Sequence, residues 1–116
     1  MLRILFVEDD LIAANIGQNM LKLFPEISLI HCETGYAALE AFAPSRFDLL
    51  IVDLGLPDIS GHELVQMIKR QYKTCPPVVA VTAHVNPNDP APSDIDRIYA
   101  KPLTYELVQE IINCFT

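Results

Sequence analysis

The sequence predicts an α/β fold in which a parallel sheet carries helices on both faces. Short apolar stretches alternate with segments whose apolar residues recur every three or four positions, the pattern of strand–helix–strand units. The apolar stretches are nearly continuous, as expected for strands covered on both sides. Several of them stop at an acidic or hydroxyl residue followed by a loop, so the sequence also predicts a polar edge where the strands end.

Length and composition favour one acidic domain. The chain has 116 residues and a formal net charge of −7, so we expect a single domain over 1–116 without a basic surface for direct nucleic-acid binding. Its apolar runs are far shorter than the ~18 residues that cross a bilayer, so no membrane contact is expected. The widely spaced Cys32, Cys75 and Cys114 predict reduced core thiols and a cytoplasmic location rather than a disulfide frame or a zinc site.

Five apolar stretches are predicted as strands because they are rich in β-branched and large apolar residues and lie between turn-forming residues. The third stretch ends at Asp53, just before a loop that contains Pro57 and Gly61, so this carboxylate is expected to meet solvent at a strand end. The five stretches are Arg3–Val7, Ser28–Cys32, Leu49–Asp53, Val78–Val81 and Ile98–Ala100.

Four segments are predicted as helices. The first follows Asp10, and the second covers Gly35–Phe42 with Thr34 as its N-cap. The third runs from about His62 to Tyr72, and the last follows Thr104. The apolar residues with helical spacing are Ile12, Ile16, Met20 and Leu23, then Leu39 and Phe42, then Leu64, Val65, Ile68 and Tyr72, and finally Val108, Ile111, Ile112 and Phe115.

A further helix is expected between the fourth and fifth strands but is opposed by proline. Three prolines fall within six residues of the segment Asn86–Ser93, and each removes a backbone donor and disfavours helical geometry in the residue before it. This fourth crossover helix is therefore predicted to be short or missing, reduced at most to a turn near Ser93–Asp96.

Three carboxylates are expected at one edge of the sheet. Glu8 and Asp9 follow the first strand and Asp53 ends the third, and the carboxyl ends of parallel strands share an edge. Carboxylates at close range either raise their pKa values or recruit a divalent cation. Mg²⁺ suits such a site, because it prefers hard oxygen ligands and typically uses one or two carboxylates plus phosphate oxygens.

Groups that could bind an anion are predicted at the same edge. Thr82 follows the fourth strand and Lys101 the fifth, and the backbone N–H groups of Leu54 and Ala83 lie beside them. A metal, a cation and a fixed carboxylate are what phosphoryl transfer to a side chain requires. Asp53 is the best-placed nucleophile, since aspartate can form an acyl phosphate.

Four separated motifs stand at these strand ends, namely Leu5–Asp10, Val52–Gly61, Val81–Ala83 and Ala100–Pro102. Together they resemble the motifs of the receiver domains of two-component signalling, and the match covers essentially the whole chain. The resemblance implies a flavodoxin-like, doubly wound sheet of five parallel strands in the order 2-1-3-4-5. It also implies Mg²⁺ as the cofactor and phosphorylation by a sensor histidine kinase.

The resemblance also implies a role for each motif residue. Asp53 corresponds to the phosphoacceptor and Asp9 to a direct Mg²⁺ ligand. Glu8 would bind the metal through water, and the backbone carbonyl of Gly55 would be the third protein ligand. The anion-binding and switch residues would be Thr82 and Lys101 on the phosphoryl oxygens, Lys101–Pro102 as a cis peptide, and Tyr99 as the aromatic that reorients when Thr82 moves.

The residues around the site resemble receivers of hybrid sensor kinases more than receivers fused to DNA-binding domains. The segments that carry this likeness are Leu54–Asp58 and Thr82–His84. The domain would then take a phosphoryl group from a kinase histidine and either signal by a conformational change or pass the group to a histidine phosphotransfer protein. It would be a phosphoacceptor rather than a conventional enzyme, either free in the cytoplasm or as the cytoplasmic part of a membrane-bound hybrid kinase.

Other interpretations stay open from the sequence. Asp10 is better explained as a helix N-cap than as a metal ligand, and Asp58 as a loop or capping residue. His31, His62 and His84 share no spacing typical of a metal site, although His84 could line the site mouth. Two alternative functions are a phosphorylation-independent adaptor and a phosphohydrolase with an aspartyl-phosphate intermediate; the latter should carry an Asp-x-Asp motif and a capping insertion, which are absent at Asp53.

Overall fold

The computed structural model describes residues 1–83 and 94–115. The predicted strands and helices are all present in this part of the chain, with boundaries that agree to within a residue or two. In chain order they are β1 Leu2–Val7, α1 Leu11–Lys22, β2 Ile27–Cys32, α2 Gly35–Ala41, β3 Leu49–Asp53, α3 Gly61–Gln71, β4 Val78–Thr82, β5 Arg97–Ala100 and α4 Tyr105–Phe115.

The five strands form one sheet in the order β2-β1-β3-β4-β5, and all neighbouring pairs are parallel. This confirms the predicted flavodoxin-like topology. The register aligns the carboxyl ends of the strands, because Val7 pairs with both Cys32 and Val52, Asp53 pairs with Val81, and Thr82 pairs with Ala100. The residues that follow β1 and β5 therefore come to the same edge as Asp53.

Each face of the sheet carries its own apolar core, so the central strands are buried on both sides. Residues of β1, β3 and β4 alternate between the two cores, as expected from the side-chain alternation of a strand. Helices α2 and α3 cover one face through Ala38, Phe42, Leu64, Val65 and Ile68. Helices α1 and α4 cover the other face through Leu21, Val108 and Ile111.

Helix α1 turns its regular apolar stripe largely towards solvent. Ile12 is 73 % exposed, Ile16 is 40 % exposed and Leu23 is 59 % exposed, and the buried residues of the helix are Ala14, Gly17 and Leu21. Small residues line the inward face because the helix lies close to the sheet: a Cβ on Gly17 would come within 2.6 Å of the Phe6 ring. The periodicity thus located the helix correctly without identifying its buried face.

No helix lies between β4 and β5 among the described residues, and four helices are described in all. The segment for which a short or missing helix was predicted falls mostly within 84–93, outside the described residues. In the part of the chain that the structure describes, no helix is both long and apolar enough to span a membrane.

Candidate functional site

Three carboxylates meet at the carboxyl edge of the sheet. Asp53 is the last residue of β3, and Glu8 and Asp9 directly follow β1. One oxygen from each of the three side chains lies within 4.8 Å of the other two. Glu8 is 2 % exposed and Asp53 is 7 % exposed, so two of these acids are held away from bulk water. The structure therefore brings together the acids that the sequence predicted to share an edge.

Lys101 supplies a positive charge at this cluster. Its Nζ lies 2.6 Å from Glu8 Oε1 and 3.1 Å from Asp53 Oδ2, and its side chain is about one-fifth exposed. The residue follows β5, and its backbone N–H donates to the Thr82 carbonyl oxygen at 2.9 Å. The Lys101–Pro102 peptide bond is cis. The sequence predicted that Lys101 binds an anion. Its contact with Glu8 was not predicted and is seen in the structure.

The two buried acids differ in proton affinity. Burial and the neighbouring Asp53 together raise the pKa of Glu8 to about 7, against the lowering effect of the hydrogen bond from Lys101. Burial also acts to raise the pKa of Asp53, but hydrogen bonds from Glu8, from the Gly55 N–H and from Lys101 lower it below its ordinary value. The environment therefore favours the ionised form of Asp53 and the protonated form of Glu8.

The loop after β3 fixes Asp53 in this position. The Gly55 N–H donates to Asp53 Oδ1 at 3.0 Å, and the Gly61 N–H donates to the Leu54 carbonyl oxygen at 3.1 Å. A Cβ on Gly61 would lie 2.6 Å from the Asp53 carbonyl oxygen, so glycine lets α3 begin directly behind the carboxylate. Ser60 caps that helix by accepting from the Glu63 N–H at 3.1 Å.

The donor set fits a hard divalent cation. Three carboxylates with oxygens within 4.8 Å of one another could together hold one Mg²⁺ ion that keeps part of its water shell. Gly55, whose carbonyl is the third ligand that the resemblance implies, is an exposed residue close to Asp53 in the loop after β3. A cation here would also relieve the repulsion that raises the pKa of Glu8.

Two further predicted residues lie nearby on the last strands. Thr82 ends β4 and is half-buried, one position beyond the residue that pairs with Asp53. Tyr99 pairs with Val81 on β5 and packs, partly buried, against the core beneath α1 and α4. The position of each is consistent with the role that the resemblance implies, and those roles remain predictions.

The secondary candidates have structural roles. Asp10 is the N-cap of α1 and accepts from the Ile12 N–H at 3.0 Å, as its capping interpretation predicted. Asp58 is also a capping residue, but it contacts α2 rather than the helix that follows it. His31 has its Nε2 2.8 Å from the Glu8 carbonyl oxygen, a contact without a signal in the sequence. His84 lies outside the described residues.

Comparisons with known proteins identify the family. The curated sensor protein ArcB of Escherichia coli is 30 % identical over 98 % of this chain, and the sensor histidine kinase GacS of Pseudomonas protegens is 26 % identical over 95 %. The chain spans about 15 % and 13 % of the lengths of these relatives. They bear out the predicted likeness to receivers of hybrid sensor kinases.

A solved receiver domain from Methylobacillus flagellatus has a similar structure. It is 25 % identical with a TM-score of 0.85, and the match covers 100 % of this chain and 99 % of that one. The sequence model that describes the response regulator receiver domain family matches residues 4–112 of this chain. The chain belongs to the response regulator receiver domain family.

Proposed function

We propose that this domain is the phosphoacceptor of a two-component phosphorelay, with Asp53 as the residue that is phosphorylated. It takes the phosphoryl group from a phosphohistidine of a sensor kinase. It then signals through a change of conformation or passes the group to a histidine phosphotransfer protein. The family and the convergence of Glu8, Asp9, Asp53 and Lys101 support this proposal.

The position and contacts of Asp53 support its assignment as the nucleophile. It ends β3 at the carboxyl edge of the sheet, its Oδ1 accepts the Gly55 N–H at 3.0 Å, and Lys101 Nζ lies 3.1 Å from its Oδ2. Against the effect of burial, these contacts and the hydrogen bond from Glu8 lower the pKa of Asp53, and a nucleophilic carboxylate has to be ionised at neutral pH. Glu8 is assigned to the metal site instead.

The transfer step forms a bond from an Asp53 carboxylate oxygen to phosphorus and breaks the bond from phosphorus to the histidine nitrogen. The imidazole keeps the electron pair of the broken bond. The Nζ of Lys101 lies 3.1 Å from Asp53 Oδ2, so Lys101 can stabilise the negative charge on the phosphoryl oxygens after transfer. The Thr82 hydroxyl and the backbone N–H of Ala83, an exposed residue, are the further donors proposed for those oxygens.

Glu8, Asp9, Asp53 and the Gly55 carbonyl are the groups proposed to hold Mg²⁺, with Glu8 acting through water. When bound, the ion supplies positive charge that neutralises the phosphoryl oxygens during transfer. The excess of carboxylates over lysine within the cluster supports this assignment, because a second cation balances the site.

The partners follow from the proposed reaction. A sensor histidine kinase is the donor, and a histidine phosphotransfer protein is the acceptor in a relay. The likeness to short parts of ArcB and GacS supports a role within or beside a sensor kinase. The cytoplasm is the proposed location, since that is where a kinase phosphohistidine would be presented to it. The net charge of −7 argues against a direct role on nucleic acid.

Incubation with acetyl phosphate and Mg²⁺ tests the proposal. Intact mass should show one added phosphoryl group, and Asp53→Asn should abolish it because an amide is not a nucleophile. Glu40→Gln, on the exposed face of α2, is a control for removal of one negative charge and should be labelled normally.

Two other results would contradict the proposal. Multiple turnovers on an external phosphate ester would identify a phosphohydrolase. Absence of an adduct with acetyl phosphate and with a phosphorylated kinase, together with unchanged partner binding by Asp53→Ala, would identify a phosphorylation-independent adaptor.

A further inference from the structure

Asp58 connects the loop after Asp53 to a different helix. Its Oδ1 accepts the Gly35 N–H at 3.0 Å and its Oδ2 accepts the Tyr36 N–H at 2.9 Å, so both carboxylate oxygens bind the first turn of α2. The same hydrogen bonds lower the pKa of the Asp58 carboxyl against the partial desolvation that acts to raise it. The carboxylate is therefore ionised and bidentate at neutral pH, although it lies at the surface.

The start of α2 depends on this residue for most of its capping. The first N–H groups of a helix have no partner within the helix. Among the described residues, the side chain of the N-cap Thr34 accepts only the Ala37 N–H, at 3.0 Å. Asp58 accepts the two N–H groups before it, from a loop 22 and 23 residues away in the sequence. Two capping groups thus serve one helix, and only one of them belongs to the loop.

The other contacts of the loop hold its two ends and its inner side. Gly61 is bonded to Leu54 at the point where the loop enters α3. Leu56 and Ile59 are buried in the core beneath α2 and α3. Gly35 makes close approach possible on the α2 side, because a Cβ there would lie 2.3 Å from Ile59 Cγ1. Asp58 adds the contact that joins the outer side of the loop to the helix.

Gly55 is an exposed position of the loop with open space beside its Cα. A Cβ built on it would meet only Asp53 Oδ1, at 3.8 Å, among the described residues. Its N–H donates to Asp53, so its orientation affects the nucleophile directly. Because Gly55 has no side chain to pack, the orientation of its peptide depends on how firmly the rest of the loop is held.

We propose that Asp58 is a positioning residue for the phosphoryl site: by clamping the loop to α2, it orients the Gly55 peptide and with it the metal ligand set. This inference rests on the proposed function, in which the Gly55 carbonyl is a Mg²⁺ ligand. Groups that orient metal ligands from outside the coordination sphere typically change metal affinity about 10- to 100-fold when they are removed. The surface position of Asp58 places the expected effect at the lower end of that range.

A pair of matched variants tests the clamp. Asp58→Ala and Thr34→Ala each remove capping from α2, but only the former removes hydrogen bonds between the loop and α2. In metal-free protein, Asp58→Ala should speed amide hydrogen exchange at Gly35, Tyr36 and Gly55, whereas Thr34→Ala should speed it at Ala37 and leave Gly55 unchanged. Urea unfolding of both variants checks that each remains folded under the assay conditions.

Calorimetric titration with Mg²⁺ gives the second readout. Asp58→Ala should weaken Mg²⁺ binding about tenfold, and Thr34→Ala should bind like the unaltered chain. Asp58→Asn should fall between them, because its amide oxygen can accept an N–H while its NH₂ group cannot. Equal Mg²⁺ affinities and equal Gly55 exchange in the Asp58→Ala and Thr34→Ala variants would overturn the positioning role.

The outcome is separable from that of the proposed function. A chain that takes no phosphoryl group from any donor would overturn the phosphoacceptor assignment. Suppose instead that the chain is phosphorylated normally, but that Asp58→Ala changes neither the exchange of the Gly55 amide nor the affinity for Mg²⁺. That result would overturn only the positioning role of Asp58.

Discussion

Basic and acidic side chains meet at both ends of the sheet, but the pKa of a carboxyl group is lowered at one end and raised at the other. At the amino end, Arg3 binds Asp48 through its Nε at 3.1 Å and an Nη2 contact at 3.1 Å, and the pair is substantially exposed. The guanidinium of Arg3 lowers the pKa of Asp48 to about 2. At the carboxyl end, burial and the nearby Asp53 raise the pKa of Glu8 to about 7.

Charge balance and burial account for the difference. At the amino end one arginine pairs with one carboxylate, and water screens the electrostatic interaction between them. At the carboxyl end, three carboxylates lie together, Lys101 contacts Glu8 and Asp53, and these two acids are nearly inaccessible. A balanced surface pair contributes little more than local order. An unbalanced buried cluster gains free energy from any added positive charge, so it is the end of the sheet at which a cation and a phosphoryl group can be held.

The largest expected effect is from removing the lysine at the unbalanced end. Lys101→Ala leaves Glu8 and Asp53 without a cation, and should lower the free energy of unfolding at pH 8 by about 3 kcal/mol, the low end for breaking a buried ion pair. Urea denaturation measures it. Lys69→Ala is the matched control, since the Nζ of this α3 residue contacts only the Asp94 carbonyl oxygen at 2.9 Å among the contacts described. Equal costs for both variants would remove the contrast between the two ends.

The pH dependence of stability should be dominated by Glu8. Its pKa is about 7 in the folded chain and 4.5 as an ordinary glutamate, so its contribution is fully present below pH 4.5 and is lost as the pH rises to 7. The free energy of unfolding should fall by on the order of 3 kcal/mol across that window. Urea titrations at several pH values measure the slope, and Glu8→Gln should flatten it. A slope that survives in Glu8→Gln would show that another group titrates.

Removing one acid from the cluster should stabilise the metal-free protein. Asp9→Asn lowers the repulsion among groups within 4.8 Å of one another, which should raise the free energy of unfolding by about 1 kcal/mol. Adding Mg²⁺ should raise the melting temperature of the unaltered chain more than that of Asp9→Asn. Glu40→Gln controls for net charge and should have little effect on either quantity. A destabilising Asp9→Asn would mean that the acids are not in conflict.

The smallest effect is expected at the balanced end. Asp48→Asn should cost less than about 1 kcal/mol at pH 7, because exposed ion pairs contribute little. Since the pKa of Asp48 is lowered to about 2, its contribution is present above pH 3.8 and is lost as the pH falls towards 2. Denaturation curves at pH 7 and pH 3 measure both values. A pH 7 cost as large as that of Lys101→Ala would contradict the comparison.

Much of the fold could be predicted because its signals are local. The strand Leu49–Asp53 was predicted to the residue, since a continuous apolar run ends at an acid before a loop containing proline and glycine. The meeting of Glu8 with Asp53 followed from the parallel sheet, which aligns strand ends that are distant in the sequence.

What could not be predicted depends on contacts between distant residues. The stripe of Ile12 and Ile16 has the spacing of a buried face, but the small Ala14 and Gly17 allow the opposite side of α1 to approach the sheet. Asp58 was recognised as a capping residue, yet its spacing from α3 gives no sign that it caps α2. Such choices are made by packing, which local propensity does not encode.

The most direct test of the phosphoacceptor assignment is to locate the acyl phosphate. The chain is phosphorylated with acetyl phosphate and Mg²⁺, reduced with borohydride, which converts an aspartyl phosphate into homoserine, and mapped by peptide mass spectrometry. We predict homoserine at position 53 alone, and none when either Mg²⁺ or the donor is omitted. Homoserine at Asp9 or Asp10, or a stable adduct on another residue type, would contradict the assignment of this edge of the sheet.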